Sequence, residues 1–173
     1  MDLIMVVAAS DNDVIGIRDE KGFRIPWRIK EDVEHFVGLR TGKPIIMGRS
    51  TYLSIPERFR PLKGSKNIIL SSSMEPSEGI CVARDIPEAL ELANGQDTIL
   101  GGGEVVYREF LPLITKIELT RVHGIYEGNV YLPEINWDDW NLIENGRIAR
   151  EEDVPRLLSK DGISYSFLSY ARK

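Results

Sequence analysis

The chain has 173 residues, of which 42% are hydrophobic and 28% charged, a composition typical of one globular domain with a single core. Its formal net charge of −5 argues against nucleic acid as a partner, and its single cysteine, Cys81, excludes an internal disulfide. Neither histidine has the spacing of a metal ligand. No apolar stretch reaches transmembrane length, and the N-terminal run carries an acidic residue where a signal peptide has positive charge. We therefore expect one cytoplasmic domain over residues 1–173, which binds no metal, nucleic acid or membrane.

The first elements along the chain are a buried strand and a charged loop. Residues 3–9 form a continuous apolar run, typical of a strand that is covered on both faces. Residues 10–13 are turn formers. The charged segment 18–24 is predicted to be a loop, which is either an ordinary surface loop or a mobile lid over a ligand.

A helix is predicted to follow the Ile-Pro-Trp segment, because proline disfavours helix in the residue before it. In this helix Ile29, Val33, Phe36 and Val37 fall on one side of a 3.6-residue spiral, and we expect that side to be buried. Asp32 borders the same apolar stripe. Taken alone, the pattern also fits an acid at the wet edge of an amphipathic helix. A carboxylate beside a core is costly unless a partner pairs with it.

Two strand ends in the middle of the chain carry side chains suited to an anion. A buried strand over residues 43–47 ends in Gly-Arg-Ser-Thr, residues 48–51, where a helix N-terminus and an arginine offer positive charge. The alternative is simple helix capping by a hydroxyl group. After a basic loop over residues 54–65, a strand over residues 66–70 ends in three serines, residues 71–73, which either bind phosphate or cap the strand.

A strand that runs into a glycine triplet is predicted further along the chain. Residues 85–88, Asp-Ile-Pro-Glu, predict the start of a helix that stops at the Asn-Gly pair 94–95. The strand over residues 98–100 then leads into glycines 101–103 at the mouth of a helix over about residues 104–111. Glycines there let a ligand approach the backbone closely. The triplet alone is weak evidence, since its spacing is not that of a dinucleotide-binding fingerprint.

Strands dominate the last third of the chain. Residues 115–123 form one strand, and residues 140–148 and 164–171 alternate apolar and polar side chains, as in a terminal antiparallel hairpin. Since strands alternate with helices up to residue 112, the sequence predicts an α/β fold. We expect a mainly parallel central sheet, helices on both faces and an antiparallel C-terminal edge hairpin. Ligands of such sheets bind outside the carboxyl ends of the strands.

The ordered motifs of the whole chain resemble those of the dihydrofolate reductase family. The matching segments are Val14-Ile15-Gly16, Ile25-Pro26-Trp27, Asp32 with Phe36, Gly42-Lys43-Pro44, Met47-Gly48-Arg49, Thr51 with Ser54-Ile55, Lys66-Asn67, Leu70-Ser71-Ser72, Gly102-Gly103 with Tyr107, Leu119-Thr120, and Ser164-Tyr165 with Phe167. The resemblance implies a monomeric enzyme of one-carbon metabolism and an antifolate target. Its reaction would be NADPH-dependent reduction of 7,8-dihydrofolate to tetrahydrofolate, by hydride transfer to pterin C6 and protonation of N5.

The resemblance also implies roles for individual residues. Asp32 would bind the amino-pyrimidine edge of the pterin, while Trp27 and Thr120 hold a water and orient that carboxylate. The apolar pterin and benzoyl pocket would be formed by Val6, Val7, Phe36, Ile55 and Leu62. The NADPH site would be formed by Ala8, Ile15, Gly16, Gly48, Arg49, Ser50, Thr51, Leu70, Ser71, Ser72, Arg84, Gly101, Gly102, Gly103, Glu104, Val105 and Tyr107. NADPH is expected rather than NADH, because the hydroxyl pair of Ser71 and Ser72 and the charge of Arg49 suit a 2′-phosphate, whereas a free 2′-hydroxyl calls for an acidic residue.

One departure from the family pattern bears on the substrate. Ser65 stands where the family has an arginine that holds the glutamate α-carboxylate of folate, and the neighbouring bases that could replace it are Arg58, Arg60, Lys63 and Lys66. This departure leaves open a reductase of the same fold that acts on another pterin, such as dihydromethanopterin. A non-catalytic nucleotide-binding domain is a further alternative, although such a domain has no need of a buried acid.

Two further features concern the lid and the glycines. Asn129 stands where many bacterial members have aspartate in the loop that supports the lid. The family's unusual cis peptide would be Gly102-Gly103 when counted back from Tyr107, and Gly101-Gly102 when counted forward from the preceding strand.

Overall fold

A large mixed sheet forms the centre of the molecule, in a computed structural model that describes residues 1–173. The strands are β1 (Leu3–Ser10), β2 (Val14–Asp19), β3 (Gly22–Arg24), β4 (Ile45–Gly48), β5 (Asn67–Leu70), β6 (Ile80–Ala83), β7 (Thr98–Leu100), β8 (Lys116–Val122), β9 (Val130–Tyr131), β10 (Trp140–Glu144), β11 (Arg147–Ile148), β12 (Leu157–Leu158) and β13 (Ser164–Arg172). The helices are α1 (Lys30–Arg40), α2 (Arg49–Ser54), α3 (Ile86–Ala93) and α4 (Glu104–Phe110). None of them has the length and apolar composition to span a membrane.

The central sheet has the order β11-β10-β13-β8-β1-β7-β4-β5-β6, and β12 pairs with the other end of β13. All strand pairs from β8 to β6 are parallel. The C-terminal strand β13 pairs antiparallel with both β8 and β10. The predicted mainly parallel sheet with an antiparallel C-terminal edge is therefore confirmed.

The two faces of the sheet carry different helices. Met5, Leu100 and Ile117 belong to the larger core cluster, which includes residues of α3 and α4. Ile4, Ile45 and other residues of the opposite face form the smaller core cluster, to which α1 and α2 contribute Phe36 and Tyr52. Because successive side chains of a strand point to opposite faces, both faces are covered by helices, as expected.

The charged segment 18–24 is not a loop, so that part of the sequence prediction is wrong. β2 and β3 form an antiparallel hairpin, which we call the lid hairpin, and β9 pairs with β2 on its other side. Phe23 packs against the larger core cluster. A Cβ atom on Gly16 would overlap the Phe23 ring, so glycine allows this close approach. One aromatic side chain within a charged sequence therefore anchors the hairpin to the core.

The apolar stripe predicted for the helix of α1 is only half buried, since Ile29 and Phe36 point into the protein as expected. Val33 and Val37 are 57% and 41% exposed, so their predicted burial is wrong. The inward positions within α1 are Asp32, Phe36 and Arg40, which follow one another at four-residue spacing and share one side of a helix. The acid and the base among them each have hydrogen-bond partners, which offset part of the cost of taking them out of water.

Candidate active site

The parallel strands leave a crevice between β1 and β4. β7 lies between these two strands, and it ends at Leu100, opposite Met5 of β1 and Ile46 of β4. Beyond that point β1 and β4 continue without a strand between them. Ligands of parallel sheets bind outside the carboxyl ends of the strands at such a divide. The crevice is therefore the candidate active site.

Glycines and one tyrosine close the base of the crevice. The cis peptide is Gly102-Gly103, so counting back from Tyr107 gives the correct register. The Gly48 amide donates to the Gly102 carbonyl at 2.8 Å, and the Tyr107 hydroxyl donates to the Val6 carbonyl at 2.8 Å. These bonds join β1, β4 and the start of α4. Burial raises the pKa of Tyr107, which therefore stays a neutral donor in the physiological range.

One carboxylate enters the crevice from α1. Asp32 is partly buried, and its Oδ1 accepts a hydrogen bond from the Thr120 hydroxyl at 2.6 Å. Burial raises the pKa of Asp32, while the bond from Thr120 and the charge of His35 act in the opposite direction. An acid in this position is suited to a ligand that presents hydrogen-bond donors or positive charge.

Thr120 and Trp27 differ in how they relate to Asp32. Thr120 contacts the carboxylate directly, whereas the sequence led us to expect a contact through water. Trp27 is 9% exposed and packs edge-on against Tyr126, with the ring centroids 5.0 Å apart. Since it makes no direct hydrogen bond to Asp32, the orienting role of Trp27 stays a prediction.

Four of the five residues predicted for the substrate pocket come together on one face of the sheet. Val6, Phe36, Ile55 and Leu62 all pack against the smaller core cluster. Val7 departs from the prediction, because its side chain belongs to the larger cluster on the opposite face. Only the main chain of Val7 can therefore face the pocket.

The residues predicted for the cofactor lie along the strand ends and in the adjoining lid hairpin. Ser71 accepts from the Met74 amide at 3.0 Å and so caps the turn after β5. Arg84 donates to the carbonyls of Ser71 and Met74 at 2.9 and 2.7 Å, and its ionic partner is the exposed Glu75 at 3.7 Å. These contacts hold the Arg84 charge at the end of β5, beside the main chain of Ser71. The other residues predicted for the cofactor lie at the strand ends, in the first turns of α2 and α4, or in the lid hairpin. They are Ala8, Ile15, Gly16, Gly48, Arg49, Ser50, Thr51, Leu70, Ser72, Gly101, Gly103 and Val105.

The carboxylate of Glu104 is already engaged within the protein. It pairs with Arg18 of the lid hairpin at 2.8 Å. The Asn129 side chain accepts from the Arg18 amide and donates to the Arg18 carbonyl, each at 2.7 Å. Glu104, predicted as a cofactor residue, and Asn129 therefore both hold the hairpin beside the crevice.

Sequence reasoning missed one residue beside Phe36 of the predicted substrate pocket. Arg40 is buried, and its Nη1 donates to the Lys63 carbonyl at 2.7 Å and to Ser65 Oγ at 3.2 Å. The available signal was its position, four residues after Phe36 and eight after Asp32.

The fold and the crevice define an α/β enzyme. Its crevice holds the Asp32 carboxylate and an apolar wall beside strand ends that are suited to an anion. The family model described as dihydrofolate reductase matches residues 2–172, and the chain belongs to this family. The reaction of that family is reduction of dihydrofolate by NADPH.

Named relatives agree with this assignment. The chain is 32% identical to the dihydrofolate reductase of Neisseria meningitidis serogroup A over 172 residues, which cover 98% of each chain. It is 34% identical to that of Haemophilus influenzae over 144 residues, covering 82% of this chain and 85% of the relative. Among solved structures, the dihydrofolate reductase of Enterococcus faecalis has a TM-score of 0.83, covers 99% of this chain and 96% of its own, and is 24% identical. This last likeness shows the fold.

Proposed function

We propose that this chain catalyses the NADPH-dependent reduction of 7,8-dihydrofolate to 5,6,7,8-tetrahydrofolate. The observation that carries the proposal is the partly buried Asp32, hydrogen-bonded to Thr120, in the crevice of a chain of this family. NADPH, when bound, supplies the hydride. The chain fits such an anion, because Arg84 is held beside Ser71 and Arg49 opens α2 at the next strand end.

The contribution of Asp32 follows from its charge and burial. An ionised carboxylate accepts hydrogen bonds from two N–H groups of the pterin, and these bonds are stronger in a partly desolvated crevice. Its negative charge favours the protonated, electrophilic form of the pterin ring. The Thr120 hydroxyl holds Oδ1 in place, so the carboxylate is oriented before the substrate arrives. Val6, Ile55 and Leu62 provide the apolar wall that excludes water.

We also propose that the chain forms a single domain that acts as a monomer. One domain over residues 1–173 is supported by the family match over residues 2–172 and by a sheet that uses strands from both ends of the chain. The net charge of −5 supports a small-molecule partner rather than nucleic acid. We propose that the protein is cytoplasmic and monomeric. Sedimentation at a mass of 19.6 kDa would support the monomer.

The test is the loss of NADPH absorbance with dihydrofolate, comparing the parent with Asp32→Asn. We expect parent turnover and a decrease of roughly 100-fold or more in the variant at neutral pH. The exposed Asp138 gives a matched control, because Asp138→Asn removes one charge away from the crevice. Undiminished turnover of Asp32→Asn would overturn the assigned role. Turnover only with a pterin that lacks the glutamyl tail would favour the alternative substrate.

A further inference from the structure

A buried arginine without an ionic partner lies at the C-terminal end of α1. Arg40 is 7% exposed. Its Nη1 donates to a carbonyl and to a hydroxyl, its Nε is buried without any partner, and its Nη2 forms no hydrogen bond within the chain. None of the chain's ion pairs includes Arg40. A desolvated charge is costly unless it is paired, and burial accordingly lowers the pKa of Arg40.

Ser65 fixes the position of this guanidinium. The Ser65 hydroxyl donates to the Arg40 carbonyl at 2.9 Å and accepts from Arg40 Nη1 at 3.2 Å. The same serine occupies the place where the family has an arginine. The guanidinium of Arg40 reaches from α1 to the Ser65 hydroxyl, just before the start of β5.

The bases that the sequence suggested as replacements have other surroundings. Arg58 and Arg60 lie over the rings of Phe59 and Tyr52, at 4.8 and 5.5 Å from the ring centroids. Arg60 Nε is also buried without a partner, but Arg60 lies outside α1 and over Tyr52 rather than over Phe36. Lys66 donates to the Leu92 carbonyl at 2.7 Å, and Lys63 is exposed. Of these bases and Arg40, only Arg40 has its charged group over the Phe36 ring.

Arg40 continues a row of side chains that starts at the acid. Its guanidinium carbon lies 5.7 Å from the centroid of the Phe36 ring. Asp32, Phe36 and Arg40 share one side of α1, and eight residues of helix rise by about 12 Å. The helix therefore presents an acid, an aromatic ring and a base in sequence along the crevice. Dihydrofolate has a donor-rich pyrimidine, a benzoyl ring and a carboxylate in the same order.

We propose that Arg40 binds the glutamyl α-carboxylate of dihydrofolate, in place of the arginine that Ser65 has replaced. The inference rests on the proposed function. A carboxylate on the Nε–Nη2 edge of the guanidinium would give both unpartnered nitrogens an acceptor in a bidentate arrangement. Arg40 is thus a specificity-determining residue, and it selects pterins that carry a glutamyl tail.

The test measures equilibrium binding and so does not depend on turnover. Quenching of tryptophan fluorescence gives Kd for folate and for pteroate, which lacks the glutamate. In the parent we expect folate to bind roughly 10- to 100-fold more tightly than pteroate. In Arg40→Gln the ratio should fall to about 1, because Kd for folate rises and Kd for pteroate stays constant. Arg58→Gln, which removes an exposed arginine, should leave the ratio unchanged.

A second variant separates tail binding from a structural role. Adding Ser65→Arg to Arg40→Gln restores a base at the position used by the family, and the preference for folate should return. An unchanged ratio in Arg40→Gln, or equal weakening of both ligands, would overturn the inference. If Arg40→Gln does not fold, an unchanged ratio in Ser65→Ala, which removes one of the two hydrogen bonds that fix the guanidinium, would overturn it instead. A parent that discriminates through Arg40 yet reduces no pterin would support this inference and contradict the proposed reaction.

Discussion

At the residue scale, the candidate active site depends on Asp32, a carboxylate whose burial disfavours its ionised form. Asp32 is desolvated, and the bond from Thr120 only partly offsets the rise in its pKa. The proposed reaction requires the ionised form of this side chain, whereas the stability of the ligand-free protein favours its neutral form.

Asp32→Asn should stabilise the ligand-free protein at neutral pH. The folded-state pKa of Asp32 lies above its unfolded value, so its contribution to stability is present below the unfolded pKa and is lost as pH rises through the folded pKa. Asparagine removes the charge and keeps an acceptor for Thr120. We expect a gain on the order of 1 kcal/mol, or about 2–4 °C in Tm, at pH 7. Calorimetry should show this gain shrinking towards pH 4, and a lower Tm at pH 7 would contradict the prediction.

Thr120→Val should move the pH profile of the enzyme. The hydrogen bond from Thr120 lowers the pKa of Asp32, so its loss lets burial raise that pKa further. The acid limb of kcat/KM should then shift to higher pH. Thr115→Val is a suitable control, because Thr115 bonds Asp2 and Leu3 at the opposite end of β8. Identical profiles for the parent and Thr120→Val would show that this bond does not tune the acid.

At the element scale, local patterns predicted most strands, and contacts distant in sequence decided the rest. The apolar run 3–9 corresponds to β1 because a buried strand shows its character in its own residues. The burial of Val33 and Val37 was mispredicted because the inward face of α1 also depends on Thr120 and Ser65, which lie 88 and 25 residues from their partners. The lid hairpin was missed for the same reason, since its order depends on Asn129. The Asp32 site was predictable only through the ordered motifs of the whole chain.

Asn129→Asp should loosen the lid hairpin. Asparagine both accepts from the Arg18 amide and donates to the Arg18 carbonyl, whereas aspartate loses the donor and places a carboxylate oxygen against that carbonyl. We expect a loss of about 1 kcal/mol in local stability, which corresponds to roughly fivefold faster amide exchange over residues 16–24. Hydrogen exchange followed by mass spectrometry measures this rate. Asn145→Asp, in the exposed turn after β10, should leave it unchanged.

At the scale of the whole molecule, the crevice divides the sheet into two parts. β1 and β8 lie on one side, while β4 and β5 lie on the other, and the proposed ligands contact both. Ligand binding should therefore stabilise the complete fold rather than a single loop.

NADPH should raise the Tm more than NADH does at equal concentration. At 100 times its Kd a ligand stabilises the folded state by about 2.7 kcal/mol, which corresponds to roughly 5–10 °C for a chain of this size. NADH lacks the 2′-phosphate that the Arg84 and Ser71 region is predicted to hold. Arg84→Gln should reduce the difference between the two nucleotides. Equal Tm shifts for NADPH and NADH in the parent would contradict the assigned cofactor preference.

The place of β13 has a consequence for how the protein is made. β13 lies between β8 and β10, and the ribosome completes both neighbours before it reaches residue 164. Until β13 emerges, the nascent chain exposes the unpaired edge of β8, the strand that carries Thr120. Such an edge is a template for pairing with another chain. Messages that are truncated or translated slowly upstream of residue 164 should therefore yield aggregates, and chaperones should be needed most before β13 has emerged.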